Sequence, residues 1–504
     1  MVSLFDEGAP PPCPAPFNMA AYVLAQADRL PDKEALLIVG AQSVERWTYR
    51  ELLDCVLATG SGLLQNGLVP GDRVLMRLGN TVDFPVAYLA ALAVGLVPIP
   101  TSAALTEAET AAIIADMHPA AVLHDATVAC PTHPNRIDLP TLRRFRMLPP
   151  AAFLPGAPDR PGYIIYTSGT SGMPRAVAHA HRAIWARRMM FDGWYGLTAG
   201  DRVMHAGAFN WTYTLGTGLM DPWTVGATAL IPASDTAPRA LPRLLCQHEA
   251  TIFAAAPGIY RQLLKDADPM DCPSLRHGLS AGEKLSPRIA EMWQAASGTP
   301  VFEAYGMSEC STFISGAPGA PADPGALGRP QPGRRVALLD ADGPVPVGQE
   351  GTIAVHRDDP GLMLGYLNAP EETAARFQGD WFLTGDQGVM SETGQITYLG
   401  RNDDMMNAGG YRVSPIEVES VLTALPGISA VAVTDVEVKA DARVIAAFYT
   451  GPEALDDQLL RTYVSDKLAR YKQPRLYFHM PELPLGANGK ILRRALRAAA
   501  EAPS

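Results

Sequence analysis

The chain has 504 residues, 47% hydrophobic and 18% charged, which is enough apolar material for more than one buried core and excludes a disordered or fibrous protein. Its 41 Lys and Arg stand against 52 Asp and Glu, a net charge of −11, so no global basic field exists for nucleic acid or an anionic membrane, and any anionic ligand must be held by a local site. The cysteines (Cys13, Cys55, Cys130, Cys246, Cys272, Cys310) are scattered, with no close pair of the kind a zinc ribbon or redox dithiol requires, and are expected as reduced, mostly packed thiols of a cytoplasmic protein.

Residues 1–7 lack a basic stretch before an apolar run, and Pro10, Pro11 and Pro12 would break a signal helix, so secretion is not expected. Residues 84–106 contain no charge and are long enough to cross a bilayer. Pro85, Gly95, Pro98 and Pro100 interrupt them, which predicts a buried helix over about 82–94 and a short strand around 97–99 rather than a membrane span. From about Glu34 onward, apolar runs alternate with segments of helical period, the pattern of parallel strands joined by crossover helices. One series of strands is expected at 35–39, 73–76, 97–99, 121–123 and 163–166, and a second at 202–204, 227–231, 251–254 and 300–302. Two doubly wound sheets side by side are the simplest packing, with 131–158 as an irregular connection.

After about Pro318, dense Gly and Pro with alternating segments at 352–355 and 395–399 predict a small β-barrel. Past Gly400, a helix over about 415–425, strands at 430–434 and 443–449 and a helix over about 453–468 predict a separate α+β unit. The expected architecture is therefore α/β: a large domain over 1–400 of two doubly wound sheets plus the barrel, and a smaller domain over 401–504, with the boundary at 401–404.

The sharpest local signal is Tyr166-Thr167-Ser168-Gly169-Thr170-Ser171-Gly172-Met173-Pro174-Arg175, which follows an apolar strand. Its small residues let backbone N–H groups turn inward around phosphate oxygens, and Arg175 adds a fixed positive charge. The spacing is not that of the common nucleotidase loop, and a flexible Ser/Gly turn is the bland alternative. Thr384-Gly385-Asp386 places a carboxylate on a tight turn, suited to the hydroxyls of a ribose. Gly400-Arg401-Asn402-Asp403-Asp404 lies at the boundary, and Asn488-Gly489-Lys490 presents a lysine before a basic helix over about 491–497. Taken singly, an exposed turn aspartate, a charged linker and a surface lysine are ordinary.

In this order, with Trp47-Thr48-Tyr49-Arg50-Glu51-Leu52, Ser280-Ala281-Gly282-Glu283, Tyr305-Gly306-Met307-Ser308-Glu309 and Gly409-Gly410-Tyr411-Arg412, the set resembles the adenylate-forming superfamily of acyl-CoA synthetases, carrier-loading adenylation domains and luciferases. The resemblance covers essentially the whole chain. It implies an enzyme, a carboxylic acid–CoA ligase that joins a carboxylate to AMP with release of pyrophosphate and then passes the acyl group to a thiol. ATP, Mg²⁺ and coenzyme A are the implied cofactors and co-substrates. Residue by residue it implies that Ser168, Gly169, Thr170, Ser171 and Gly172 cradle the β- and γ-phosphates with Arg175 beside them, and that Thr167 and Glu309 hold Mg²⁺. Gly282, Glu283 and Tyr305 would line the adenine pocket, and Asp386 and Arg401 would fix the ribose. Lys490 would contact the substrate carboxylate and the α-phosphate. Asp403 is implied as the hinge of a mobile small domain, and Gly410 as the residue that lets the pantetheine arm approach.

The acyl pocket is implied at Phe209, Trp211, Tyr213, Ala281 and Gly306, most similar to medium-chain and benzoate-type acyl-CoA synthetases. Three aromatic side chains near one turn favour a flat or short uncharged acyl group, although Trp211 or Tyr213 packing a helix end is the ordinary alternative. Between Val203 and Met220 there is no Lys or Arg, so a second substrate carboxylate is not expected. One departure from the superfamily pattern is Arg175-Ala176 in place of Lys-Gly, in a chain with only seven lysines among its basic residues, which makes compositional drift the bland explanation. His179-Ala180-His181 has no third ligand in view and is not expected to bind metal. A separate carrier protein as acyl acceptor, or a catalytically silent nucleotide-binding protein, are the alternatives to coenzyme A ligation. A homodimer is left open.

Overall fold

The computed structural model describes residues 1–501 except 168–174, 266–268, 403, 405, 409–410, 440–441, 466, 469 and 487–490. Its largest sheet has nine strands in the order Arg329–Pro330, Ser311–Ser315, Val301–Met307, His277–Ala281, Ile252–Ala255, Arg202–His205, Thr228–Pro232, Glu34–Val39 and Val44–Thr48. The pairings from Val301–Met307 to Glu34–Val39 are parallel, and those outside them are antiparallel. Near-continuous apolar strands such as Thr228–Pro232 and Ile252–Ala255 are what a sheet covered on both faces requires. A second, all-parallel sheet runs Val97–Pro100, Arg73–Arg77, Ala121–His124, Arg136–Asp138.

Several expectations need correcting. Glu34–Val39 does not join the second sheet; it forms a hairpin with Val44–Thr48 and together they close the edge of the large one. The segment Pro161–Thr167 is not a parallel strand. It pairs antiparallel with Arg175–Ala180, which in turn pairs with Gly365–Tyr366. Within 131–158, Arg136–Asp138 runs into a helix, Leu139–Phe145, whose first turn is capped by Asp138. Cys246 and Cys272 are joined in a disulfide, against the expectation of reduced thiols: the end of the helix Leu241–Gln247 and the turn before His277–Ala281 bring their Cα atoms to 4.6 Å.

The charge-free stretch forms the helix Asp83–Ala93, buried along its whole length, and among the described residues no helix is long and apolar enough to cross a membrane. The barrel region is a seven-stranded sheet built on Arg335–Asp340, Glu350–His356 and Trp381–Met390, with Leu4–Asp6 from the N-terminus added at one edge. Beyond Arg401, the helix Pro415–Thr423 packs on a sheet of Ala430–Lys439, Ala442–Thr450 and Leu476–His479, followed by Arg493–Glu501. Two apolar clusters hold this part together, one around Val418, Leu422, Val433 and Leu460, the other around Ala432, Phe448 and Leu496.

Candidate active site

Trp211 and Gly282 follow the carboxyl ends of two parallel strands of the large sheet, Arg202–His205 and His277–Ala281, and Tyr305 lies in a third, Val301–Met307; the carboxyl ends of such strands are the usual ligand crevice of an open α/β sheet. Gly282 leaves the strand His277–Ala281 with φ +97°, a conformation that favours glycine. Gly306 lies at a register shift, where a Cβ would stand 2.1 Å from the Ser311 carbonyl oxygen, so no side chain fits. Lys284 Nζ, 2.7 Å from Glu303 Oε2, and the Leu285 N–H, donating to Glu303 Oε1 at 2.9 Å, brace the turn that presents Gly282 and Glu283.

Tyr305, Asp386 and Arg401 are brought together. The Tyr305 hydroxyl donates to Asp386 Oδ2 at 2.5 Å, and Arg401 Nε lies 3.9 Å from Asp386 Oδ1, the two residues being direct cross-strand partners. Thr384 Oγ1 donates to the Ile353 carbonyl and accepts the Asp386 N–H, which holds the turn behind the carboxylate. Burial, followed by the Asp386 charge, pushes the Tyr305 hydroxyl well above its usual range, so it stays a donor. Tyr398, not singled out from the sequence, donates to Asp386 Oδ1 at 3.3 Å from the strand Ile396–Arg401.

On the phosphate side, Thr167 ends one strand of the hairpin and Arg175 begins the next. Arg175 Nε lies 2.5 Å from Glu372 Oε2. Glu309 accepts from the Tyr366 hydroxyl at 2.7 Å through Oε1, while its carbonyl accepts the Met363 N–H at 2.7 Å. Neither Tyr366 nor Glu372 was singled out from the sequence. Ser168, Gly169, Thr170, Ser171, Gly172, Asp403, Gly410 and Lys490 lie outside the described residues. His179 is 2.7 Å from the Ser308 carbonyl through Nε2, and His181 Nδ1 accepts the Met19 N–H. Among the described residues no cluster of His, Cys, Asp and Glu has the makings of a metal site.

On the acyl side, Trp211 and Tyr213 meet edge to face with centroids 5.1 Å apart, and Tyr213 stacks on Trp194 at 6.1 Å. Trp211 Cζ2 is 3.8 Å from where a Cβ on Gly282 would stand, which ties this aromatic group to the adenine-side turn. Ala281 is buried in the cluster against which Tyr213 packs; Phe209 instead belongs to the core that contains Phe84 and Trp223. His205, unremarked in the sequence, is fully buried with its ring 4.4 Å from that of Tyr213, and burial pushes its pKa down to about 3, so the imidazole is neutral. His205 Nδ1 is 3.3 Å from Thr214 Oγ1, whereas His205 Nε2 and the Tyr213 hydroxyl are buried without a hydrogen-bond partner among the described residues. A cation from outside the 203–220 window also reaches this region: Arg187 pairs with the fully buried Asp221 at 2.6 Å and binds Ser311, Tyr195 and Thr217. Burial opposes the charge on Arg187, but Asp221 and Tyr195 more than offset it and raise its pKa. A Cβ on Gly216 would lie 2.6 Å from Arg187 Cζ, so this glycine makes room for the guanidinium.

Comparison with known proteins places this geometry. The AMP-binding enzyme family model matches residues 23–367, and that of the AMP-binding enzyme C-terminal domain matches 417–490. The benzoate–CoA ligase of Thauera aromatica is 34% identical over 490 residues, covering 90% of this chain and 91% of the relative. The structure of a benzoate CoA ligase from Burkholderia xenovorans superposes with a TM-score of 0.84 at 29% identity, covering 95% of this chain and 100% of that one. An anthranilate CoA ligase in complex with anthranoyl-AMP gives 0.87 at 25% identity, with 97% and 98% covered. The chain therefore belongs to the AMP-binding enzyme family and is an AMP-forming carboxylic acid–CoA ligase of the acyl-CoA synthetase branch, using ATP and coenzyme A to make an acyl-CoA through an acyl-adenylate.

Proposed function

We propose that the acid is an uncharged monocarboxylic acid, aromatic or of short to medium chain length, activated as acyl-AMP at the crevice between Trp211 and Asp386. The observation behind this choice is that Trp211 stands beside Gly282 with Tyr213 edge to face against it, while Arg187, a cation that reaches the same region, is paired with Asp221. A second carboxylate on the substrate would be buried there without a counter-charge, at a cost of several kcal/mol.

In this scheme Tyr305 and the Gly282–Glu283 turn receive adenine, and Asp386 with Arg401 receives the ribose. Ser168–Gly172 and Arg175 take the β- and γ-phosphates. Glu309 and Thr167 would hold Mg²⁺; an all-oxygen donor set suits a hard cation that also binds phosphate, and Tyr366 orients the Glu309 carboxylate for it. Lys490 stabilises charge as the carboxylate attacks the α-phosphorus. The small domain, beginning at 401–404 with Asp403 as its hinge, then turns to admit the pantetheine thiol beside Gly410.

The test is a pyrophosphate-release screen over carboxylic acids, with and without coenzyme A. Benzoate, butyrate or hexanoate should lead, and 3-hydroxybenzoate belongs in the panel because His205 Nε2 and the Tyr213 hydroxyl, near Trp211, are buried without a partner among the described residues. Malonate or succinate turning over faster than all of these would overturn the proposal for the acid. Acyl-AMP that accumulates until a carrier protein is added would overturn the choice of acceptor.

A further inference from the structure

The turn that carries Glu309 joins the strands Val301–Met307 and Ser311–Ser315, and it closes on a strained residue: Ser311 has φ +62°, a left-handed conformation that favours glycine. Met307 is paired with Ser311, and the Cys310 N–H donates to the Met307 carbonyl at 3.2 Å. The Ser311 carbonyl oxygen is the atom that would stand 2.1 Å from a Cβ on Gly306, so the two backbones touch. Tyr305, the next residue along, donates to Asp386 at 2.5 Å. The strained residue is gripped from the end of the helix Ala183–Ala186, where Arg187 Nη1 donates to Ser311 Oγ at 2.6 Å. Arg187 is itself held by both oxygens of Asp221, through Nε at 2.8 Å and Nη2 at 2.6 Å. The Asp221 side chain is fully buried and that of Arg187 is 12% exposed, so this grip does not exchange freely with water. Arg334 Nη2, donating to the Thr312 carbonyl at 3.0 Å, and His179 Nε2, 2.7 Å from the Ser308 carbonyl, brace the two flanks of the turn.

We propose that Arg187 is a positioning residue for the acid and its adenylate: by holding the Ser311 hydroxyl it keeps Ser311 left-handed, and so keeps the Ser311 carbonyl against Gly306 and Tyr305 in line with Asp386. This rests on the placement of acid and adenylate beside Tyr305 and Gly306. A residue with a side chain is disfavoured in the left-handed region because its Cβ crowds the following carbonyl oxygen, and a hydrogen bond from a charged, enclosed donor is strong enough to offset that cost. Without it Ser311 relaxes toward negative φ and its carbonyl leaves Gly306. Asp221 balances the charge of Arg187, so the pair acts through the backbone of the turn rather than by contact with substrate.

The experiment compares Ser311→Ala with Ser311→Gly in the full chain. Both remove the hydroxyl, but only glycine adopts a left-handed φ at no steric cost. With whichever acid leads the pyrophosphate screen, Ser311→Ala should raise the KM for that acid about three- to tenfold with kcat little changed, because a smaller fraction of the protein holds the competent turn. Hydrogen exchange at the amides of 307–312 should speed up in the same variant. Ser311→Gly should bring the KM back to within about twofold of the unaltered protein. In an Arg187→Met, Asp221→Leu background, where the hydrogen bond is already gone, Ser311→Gly should lower the KM. Equal losses in Ser311→Ala and Ser311→Gly would mean that the hydroxyl meets the substrate itself and would overturn the inference. So would a joint fall of kcat and melting temperature that glycine does not reverse, which would reduce the contact to a structural one. An unchanged KM in Ser311→Ala overturns it too, and exchange then tells where: if it still separates alanine from glycine, the placement of acid and adenylate beside this turn has failed, and if it does not, the grip on Ser311 has.

Discussion

The large and small parts of the chain treat charge differently. The large part contains fully buried charge and polar groups: Arg187 with Asp221, Arg334 with Asp359 at 2.5 Å and essentially no exposure, and the buried His179, His181, His205 and His277. Beyond Arg401 no described ion pair is fully enclosed: Arg493 with Glu419 at 2.6 Å keeps 17% and 14% exposure, and Lys472 with Glu417 at 2.6 Å and Arg461 with Asp457 at 3.8 Å lie at the surface, over two compact apolar clusters. Buried charge fixes geometry, because its partners cannot be exchanged for water. Surface charge leaves the fold almost indifferent to which partner is present. This contrast is what the proposed turning of the small part about Asp403 would require.

Removing the buried partner should therefore give the largest effect. Asp221→Asn leaves the Arg187 guanidinium charged and enclosed, with hydrogen bonds to Tyr195, Thr217 and Ser311 but no counter-charge. Denaturant unfolding should show a loss of about 3–5 kcal/mol. A loss below about 1 kcal/mol would place this pair with the surface ones and remove the contrast. Replacing both residues, Arg187→Met with Asp221→Leu, should be far milder than Asp221→Asn alone.

The next effect lies in the small part and concerns chemistry rather than stability. On the role proposed for Lys490, Lys490→Ala should lower pyrophosphate formation from acid and ATP by about two to three orders of magnitude, the usual cost of losing a preorganised charge at a transition state. Synthetic acyl-AMP supplied with coenzyme A should still yield thioester at close to the unaltered rate. Unfolding should not shift detectably. If the first half-reaction survived, the assignment of Lys490 and the two-orientation scheme would both be withdrawn.

What the sequence disclosed follows the same contrast. Gly282 and Gly306 were named through the family resemblance, and their backbone geometry shows why glycine stands there; Asp386 was legible because its turn is local. Pairing over long separations was not: Arg187 meets Asp221 from 34 residues away, and Tyr366 reaches Glu309 from 57. Apolar patterning identified Glu34–Val39 as a strand but holds no information on which sheet receives it, which is decided by packing beside Thr228–Pro232. Leu4–Asp6 is too short for any period to show, and His205 in an apolar strand looks like any core histidine until the rings of Trp211 and Tyr213 are placed around it.

The buried histidines give the large part a pH dependence of definite sign. Burial lowers His179 and His277 to about 4 and His181 and His205 to about 3, from an ordinary value of 6.5. Between the folded and unfolded values the unfolded chain binds more protons, so the stability these groups contribute is present above about pH 6.5 and is lost as pH falls toward 4. At pH 5 each contributes a loss of about 2 kcal/mol. Denaturant midpoints should fall between pH 7.5 and 5, and His205→Phe should flatten that slope. Hydrogen exchange should show the effect in the strands of the large sheet before the small part, whose one histidine, His479, is exposed. A flat profile from pH 7.5 to 5 would mean that these imidazoles are reached by water or by a proton-accepting partner.

The smallest effect should come from the surface pair in the helix Asp457–Ser465. Asp457 and Arg461 are four residues apart, 3.8 Å between Oδ2 and Nη2, with side chains 63% and 43% exposed. Asp457 also lies in the first turn of that helix, where a negative charge is favourable. Even so, both groups are well hydrated in the unfolded chain and screened in the folded one, so Asp457→Asn should cost less than about 1 kcal/mol at low salt. At 1 M salt, where the screening length is about 3 Å, the difference should vanish. Arg461→Gln should give a similar loss, because each removes the same weak pairing. A salt-independent loss of 2 kcal/mol or more at this pair would mean that the small part, like the large one, depends on fixed charge for its fold. The free reorientation assigned to it would then have no physical basis, since each turn of the domain would have to preserve a specific set of ionic contacts.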